Sequence, residues 1–213
     1  LNLLACERDD PQQVRWVVST IMGTLRRLFS YSWGPRLEHV LRHGLLTVMT
    51  LPDSTFLELT LLLSSKEYRE QIIEGVQDPM LRAFWESFPR SFKDAYELTS
   101  STLNKISPFI TDRTMRNIIG QPRNSIDLLK VMDEGKILFV NLSKGDLGED
   151  NSALLGSVLV NLVLVAALQR RSIKPKERRP FHLIVDEFQN FANESFSILQ
   201  SEARKYAVDV VVA

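Results

Sequence analysis

Apolar residues follow two different patterns along this chain, and the pattern changes partway through it. In the first part they recur at helical spacing, i, i+3, i+4 and i+7, as in residues 14–29. The Asp-Pro pairs at 10–11 and 78–79 each place a capping carboxylate before a proline that suits the first turn of a helix. The pattern predicts an all-helical module over residues 9–122. It follows a short apolar segment, residues 1–8, that we expect to be the end of a strand.

The second part, residues 123–213, alternates short apolar runs with helical ones. Residues 137–140, 183–185 and 208–212 are rich in β-branched and other apolar residues, as strands are, and helical segments separate them. Strands that alternate with helices predict a parallel sheet with right-handed crossovers. The predicted fold class of this part is therefore α/β, built as a βαβαβ unit.

The strongest chemical signal is the run HLIVDEFQNF at residues 182–191, in which apolar residues lead directly into two acids. It predicts a short strand buried on both faces, with Asp186 and Glu187 at its carboxyl end, where ligands bind in open α/β sheets. An Asp there suits Mg²⁺, which prefers hard oxygen ligands, and a Glu beside it suits proton transfer from an attacking water. This is the Walker B arrangement of P-loop ATPases. The structural alternative is that a buried strand ends in acids simply because the chain returns to solvent.

Residues 141–145, NLSKG, leave the first predicted strand at the same edge of the sheet. Their polar groups would contact a nucleotide or sense its γ-phosphate, although a plain strand-to-helix connection is the simpler account of any single residue. The sequence contains no G-x-x-x-x-G-K-S/T phosphate loop. This absence weighs against catalysis by these 213 residues alone.

Three groups of basic residues have both a structural and a functional interpretation. Arg204 ends the last predicted helix, where a base stabilises the helix dipole; alternatively, it reaches a neighbouring subunit's γ-phosphate and neutralises transition-state charge. Residues 170–179 hold six bases and one acid, and they predict a solvated loop at the edge opposite the acids. His39 and His43 have metal-ligand spacing, but without a third ligand nearby we expect ordinary surface or core histidines.

Composition excludes several classes of protein. Hydrophobic residues make up 44% of the 213 residues and charged residues 24%, which is typical of a globular chain and not of a disordered one. The 26 bases balance the 26 acids, so whole-chain charge predicts no polyanionic or membrane partner. Cys6 is the only cysteine, which favours the cytoplasm. The most apolar stretch, residues 153–168, is shorter than the roughly 20 residues of a membrane span, so we expect a buried helix and no transmembrane segment.

The order of these segments resembles the C-terminal half of a RecA-like motor domain. GKILFVNLSKG, a long apolar helix, RRPFHLIVDEFQNF and ILQSEARKYAVDVVVA follow one another as in the coupling-protein ATPases of type IV secretion and conjugation, within the HerA/FtsK group of DNA-pumping ATPases. SWGPRLEHVLRHGLLTV resembles part of the all-α domain inserted into that motor. The resemblance implies a partial RecA-like P-loop NTPase sheet preceded by an all-α domain.

The resemblance also implies roles for individual residues. Asp186 would coordinate the Mg²⁺ of bound ATP, Glu187 would be the catalytic base, and Arg204 would be a candidate finger acting on a neighbouring subunit. The implied partners are DNA, further copies in a homo-hexamer, and a secretion or cargo protein. The implied location is the cytoplasm, with the full-length protein at the inner face of a membrane.

Two departures from the family pattern limit what these residues can do. The Walker A segment, which precedes the all-α insertion in the family, is absent here, as is the polar sensor residue after the third strand. We therefore expect a piece of a longer protein, and ATPase activity of that protein. One alternative is a non-catalytic helical module that docks DNA or a cargo protein. A weaker one is a degenerate P-loop protein that binds nucleotide without hydrolysing it, although such a site would be free to lose its acids.

Overall fold

Helices dominate the computed structural model, which describes residues 1–192 and 194–213. The helices of the first part are α1 (Pro11–Leu28), α2 (Pro35–Val48), α3 (Phe56–Ser64), α4 (Lys66–Ile73), α5 (Pro79–Glu86), α6 (Phe92–Thr111) and α7 (Arg113–Ile119). The elements that follow are α8 (Leu128–Asp133), α9 (Lys144–Leu147), α10 (Glu149–Gln169), β1 (Phe181–Val185), α11 (Glu194–Glu202) and β2 (Val208–Val212).

Contacts divide the chain into two compact units. The first consists of Leu1–Val14 and Leu25–Arg123, and the second of Arg15–Thr24 and Asn124–Ala213. The middle of α1 therefore belongs to the second unit, although the sequence pattern places it in the helical module.

Most helices of the first unit begin where a side chain caps them, and α2, which follows Gly34, is the exception. The Asp10 carboxylate accepts a hydrogen bond from the backbone N–H of Gln12 at 2.9 Å, and Asp78 caps α5 in the same way. Both predicted Asp-Pro helix starts are confirmed. The segment predicted to end a strand, residues 1–8, instead makes one isolated antiparallel bridge, between Asn2 and Gly120. Many of the buried apolar side chains of this unit come from α2, α3, α6 and α7, and they include Val40, Leu41, Leu45, Phe56, Leu59, Leu62, Ile106, Phe109, Met115 and Ile119.

The second unit contains a parallel pair of strands that packs one face on a helical core. β1 pairs with β2 in register from Phe181↔Val208 to Val185↔Val212. Alternate residues of the pair contact the core formed by α8, α10 and α11, in which Val185 and Val208 are buried. The opposite face carries His182 and Ile184, and Ile184 is 73% exposed. The prediction of a strand buried on both faces is therefore wrong, because helices cover only one face.

The predicted first strand, residues 137–140, is not a strand. Phe139 is 92% exposed, and only Leu138 packs against the core of the second unit. No backbone hydrogen bond among the described residues joins this segment to β1. The structure thus has an α/β unit with a two-stranded parallel sheet in place of the expected βαβαβ sheet. A strand paired here would leave Ile137 and Phe139 on the uncovered face, so pairing would bury little apolar surface.

The long apolar helix is part of this core. Within the described residues, the stretch Glu149–Ser172 is long and apolar enough to be a membrane span, but 78% of its most apolar 18-residue window is buried inside the protein. This burial agrees with the expectation of a core helix.

Candidate functional site

The two acids follow β1 directly, at its carboxyl end. Asp186 is exposed, and one of its carboxylate oxygens accepts a hydrogen bond from the backbone N–H of Glu187 at 2.9 Å. Glu187 adopts a left-handed backbone conformation, with φ 48° and ψ 45°. That conformation costs a residue with a side chain about 1 kcal/mol, so the surrounding loop must hold it in place.

Two aromatic residues of the DEFQNF motif hold this loop against the core. Phe188 stacks on Phe196 of α11, with ring centroids 5.8 Å apart. The ring of Phe191 lies directly against Gly156 of α10, so closely that a Cβ at that glycine would fall 2.2 Å from the ring. The motif thus divides into aromatic anchors and exposed polar groups, and the polar groups are available for chemistry.

The Glu187 carboxylate has two polar neighbours: Lys144, which belongs to the segment 141–145 expected at this edge, and Asn190, which the sequence did not indicate. Asn190 donates from Nδ2 to Glu187 Oε2 at 2.9 Å, and Lys144 Nζ lies 3.5 Å from the same oxygen. Lys144 also donates to Asn190 Oδ1 at 3.2 Å. The signal that would have found them is positional: Asn190 is one turn after Glu187, and Lys144 follows the apolar run that precedes α9.

The carboxylates at this edge suit a Mg²⁺ ion that is also bound by phosphate oxygens. Mg²⁺ at nucleotide sites takes one or two carboxylates, with phosphate oxygens and water completing its shell. Asp186 is an exposed carboxylate of that kind, and Glu187 is next to it. No cluster of three or more His, Cys, Asp or Glu able to hold a metal occurs in the described part of the chain. These residues therefore offer no metal cage of their own.

Arg204 lies at the other end of the sheet. It is exposed in the 3-10 turn Ala203–Tyr206, directly before β2. Since β1 and β2 are parallel and in register, this turn is beside the amino end of β1, about 13 Å or more from the acids at a rise of about 3.3 Å per residue. Arg204 and Glu187 are not brought together within this unit.

The basic loop at residues 170–179 is only partly solvated. Arg170 is fully buried, and its guanidinium Nε donates to Asp133 Oδ1 at 2.9 Å. Arg178 donates from Nε to the carbonyl of Ile173 at 2.9 Å. The prediction of a solvated loop is therefore wrong for Arg170, whose guanidinium instead cross-links the second unit.

The histidines of the first unit pack against an aromatic side chain. His43 stacks on Phe84 with ring centroids 4.2 Å apart, and its Nδ1 lies 2.8 Å from the carbonyl of His39. Burial lowers the pKa of His43, which favours its neutral form. Neither histidine belongs to a metal cluster in the part of the chain that is described. An open pocket of about 390 Å³ adjoins His39 and is lined by Trp33, Gly34, Pro35, Glu38, His39 and Arg42.

The charge in that pocket is already paired. Glu38 accepts from Trp33 Nε1 at 3.1 Å and from Arg42 at 3.3 Å, and it also pairs with Arg26. The Trp33 hydrogen bond, followed by those of the two arginines, lowers the pKa of Glu38. The pocket is therefore a weaker candidate than the edge that carries Asp186 and Glu187.

Comparison with known proteins adds no family. No protein-family model matches this chain, and no curated protein or solved structure matches it. Functional inference therefore depends on the sequence motifs and on the geometry at the carboxyl end of β1.

Proposed function

We propose that this chain forms the Walker B part of a Mg²⁺- and ATP-dependent motor that moves DNA, or DNA with attached protein. The motor would be a homo-hexamer in the cytoplasm, or at the inner face of a membrane in the full-length protein. The observation that carries the proposal is the position of Asp186 and Glu187, two adjacent exposed carboxylates at the carboxyl end of a parallel strand. That edge is where α/β proteins bind their ligands.

The two acids have different tasks in this proposal. Asp186 would hold the metal together with phosphate oxygens, and the bound Mg²⁺ would supply neutralisation of phosphate charge. Glu187 would accept a proton from a water whose oxygen bonds to the γ-phosphorus, while the bond to the ADP oxygen breaks and phosphate and ADP leave. The phosphate loop would come from a segment other than residues 1–213.

Arg204 would act on a neighbouring subunit. Its separation from Glu187 along the sheet argues against a role at the site of its own chain. An arginine supplied in trans stabilises charge on the transferred phosphoryl group. The exposure of Arg204 leaves it accessible to a second copy.

The test is ATP turnover by the full-length protein, measured with and without DNA, in the wild type and in the Glu187→Gln variant. We expect turnover that DNA stimulates and that the variant lowers by about 10²–10⁴-fold, the usual contribution of a general base. Glu177→Gln is the matched control, because Glu177 is an exposed glutamate outside the site that also pairs with a lysine. Wild-type turnover in Glu187→Gln would refute the proposal.

The lack of a phosphate loop favours a second candidate, a non-catalytic helical module that docks DNA or a cargo protein. It predicts no ATP turnover by a folded full-length protein, even with an upstream phosphate loop intact, and retention of DNA or cargo by the helical unit. Turnover that depends on Glu187 would exclude it.

A further inference from the structure

Lys144, Glu187 and Asn190 form a closed triangle of polar contacts. Lys144 Nζ and Asn190 Nδ2 both contact Glu187 Oε2, at 3.5 and 2.9 Å, and Lys144 donates to Asn190 Oδ1 at 3.2 Å. Both groups approach the same carboxylate oxygen. The other oxygen, Oε1, is left to accept a proton.

The fold brings Lys144 to this position by a path that runs along β1. At its start, Arg179, two residues before β1, donates to the carbonyl of Glu134 at 3.3 Å. At its end, Lys144 contacts Glu187, two residues after β1. The intervening segment therefore runs in the same direction as the strand, although it forms no ladder with it. The length of this segment, from Glu134 to Lys144, determines where Lys144 contacts the Glu187 carboxylate.

Asn190 reaches the triangle from a separately anchored turn. It ends the 3-10 turn Phe188–Asn190, between the two aromatic anchors of the loop. The packing of Phe191 on Gly156 fixes the backbone beside it. Asn190 is thus held by the packing of its neighbour and not only by its contacts with Lys144 and Glu187.

We propose that Lys144 and Asn190 are positioning residues that fix one oxygen of the Glu187 carboxylate and present the other to the attacking water. This inference rests on the proposed function and deepens it, because it assigns the orientation of the general base to two residues. Orientation matters because displacement of a catalytic group by about 1 Å costs up to about 100-fold in rate. The rival role for Lys144 is direct binding of the nucleotide phosphates.

The first experiment tests the contact without turnover. A water-soluble carbodiimide joins a carboxylate to an amine that touches it, so it should link Lys144 to Glu187 in the nucleotide-free full-length protein, as detected by peptide mass spectrometry. The exposed pair Lys174–Glu177, 3.6 Å apart, is an internal control of matched separation. A link in the control pair without one between Lys144 and Glu187 overturns the proposal.

The second experiment separates positioning from phosphate binding. We expect Lys144→Met and Asn190→Ala each to lower kcat about 10- to 100-fold at unchanged KM for ATP. Lys144→Arg should restore part of the loss, and Lys174→Met, the matched control, should leave kcat unchanged. In a Glu187→Gln background, Lys144→Met should lower single-turnover hydrolysis no further, because the group it orients is gone.

Contrary outcomes distinguish the failure of this inference from that of the proposed function. A raised KM with kcat retained, or a full further loss in the Glu187→Gln background, shows that Lys144 acts on the nucleotide and overturns the positioning role. Turnover that requires Glu187 and is indifferent to Lys144 and Asn190 overturns this inference alone. No turnover by the wild type overturns both.

Discussion

Replacement of Arg170 by Met tests the packing of the second unit most directly. The guanidinium is fully buried and donates to Asp133 at 2.9 Å, to the carbonyl of Tyr206 at 2.9 Å and to that of Ala207 at 3.4 Å. It also donates to the carbonyl of Arg179. One side chain thus joins the end of α8, the segment before β1 and the turn before β2. Methionine matches much of its length and apolar stem but donates nothing.

The expected loss follows from these contacts. Removing one partner of a buried ion pair costs about 3–5 kcal/mol. Asp133 is 33% exposed and regains some hydration, which puts this pair at the low end of that range. The backbone carbonyls that lose the Arg170 donor add about 1 kcal/mol in total to this loss, because water replaces the guanidinium imperfectly. We expect Arg170→Met to lower the free energy of unfolding of the second unit by about 3–4 kcal/mol.

The assay is amide hydrogen exchange of β1 and β2 under native conditions, since it reports the stability of this unit separately from that of the helical one. Arg171→Met is the matched control: Arg171 is the exposed neighbour, and we expect a change within about 0.5 kcal/mol. Arg170→Lys should recover little, because one ammonium cannot reproduce a planar fork that serves separate acceptors. A loss below about 1 kcal/mol in Arg170→Met would refute the account of Arg170 as a cross-link.

Two further predictions concern packing and the thiol. Gly156→Ala should destabilise the chain by about 1–2 kcal/mol in urea unfolding, because the new Cβ would displace the ring of Phe191. Gly23→Ala, where a Cβ meets nothing within 4 Å in a helix, should instead stabilise it by up to about 1 kcal/mol; equal effects would contradict the packing at Gly156. Burial raises the pKa of Cys6 to about 11. An ordinary thiol has a pKa of about 8.5, so at about pH 8 the reactive thiolate of native Cys6 is about 200-fold scarcer than in the unfolded chain. A thiolate of higher pKa is more nucleophilic, so alkylation by iodoacetamide should be slower by about 10-fold or more. Equal rates by mass spectrometry would contradict that burial.

Helix starts were predictable from the sequence because their signals are local. Asp10 and Asp78 each cap through their own side chain, within three residues of the group they satisfy. β1 and β2 were predictable for a related reason, since each ends in three consecutive apolar residues and contains a single polar one, His182 in β1 and Asp209 in β2. Such signals require no knowledge of the rest of the chain.

The failures came from properties that depend on distant parts of the structure. Whether residues 137–140 pair as a strand depends on what covers the face that carries Phe139, and no helix of the second unit covers it. Arg170 looks like any other base in its loop, and only the carbonyls gathered around it explain its burial. Of the candidate site, the sequence identified Asp186 and Glu187 and placed residues 141–145 at the same edge, but it did not indicate the contacts of Lys144 and Asn190 with Glu187. The contact between Lys144 and Glu187 joins two segments that are far apart in the sequence.

The ion pair between Lys144 and Glu187 is weaker than the aromatic packing that holds the loop, and this difference determines what substitution of Lys144 tests. The Lys144 and Glu187 side chains are 42% and 63% exposed, and an ion pair exposed to that degree contributes at most about 1 kcal/mol to stability. Burial of one large aromatic side chain contributes about 1.5–3 kcal/mol when complete, so Phe188 and Phe191 hold the loop more firmly than the ion pair does. Loss of the Lys144 ammonium should therefore leave the loop folded. Once a bound nucleotide excludes water, the same contact acts in a lower dielectric and strengthens, so a defect in Lys144→Met would report on the orientation of Glu187 and not on the stability of the loop.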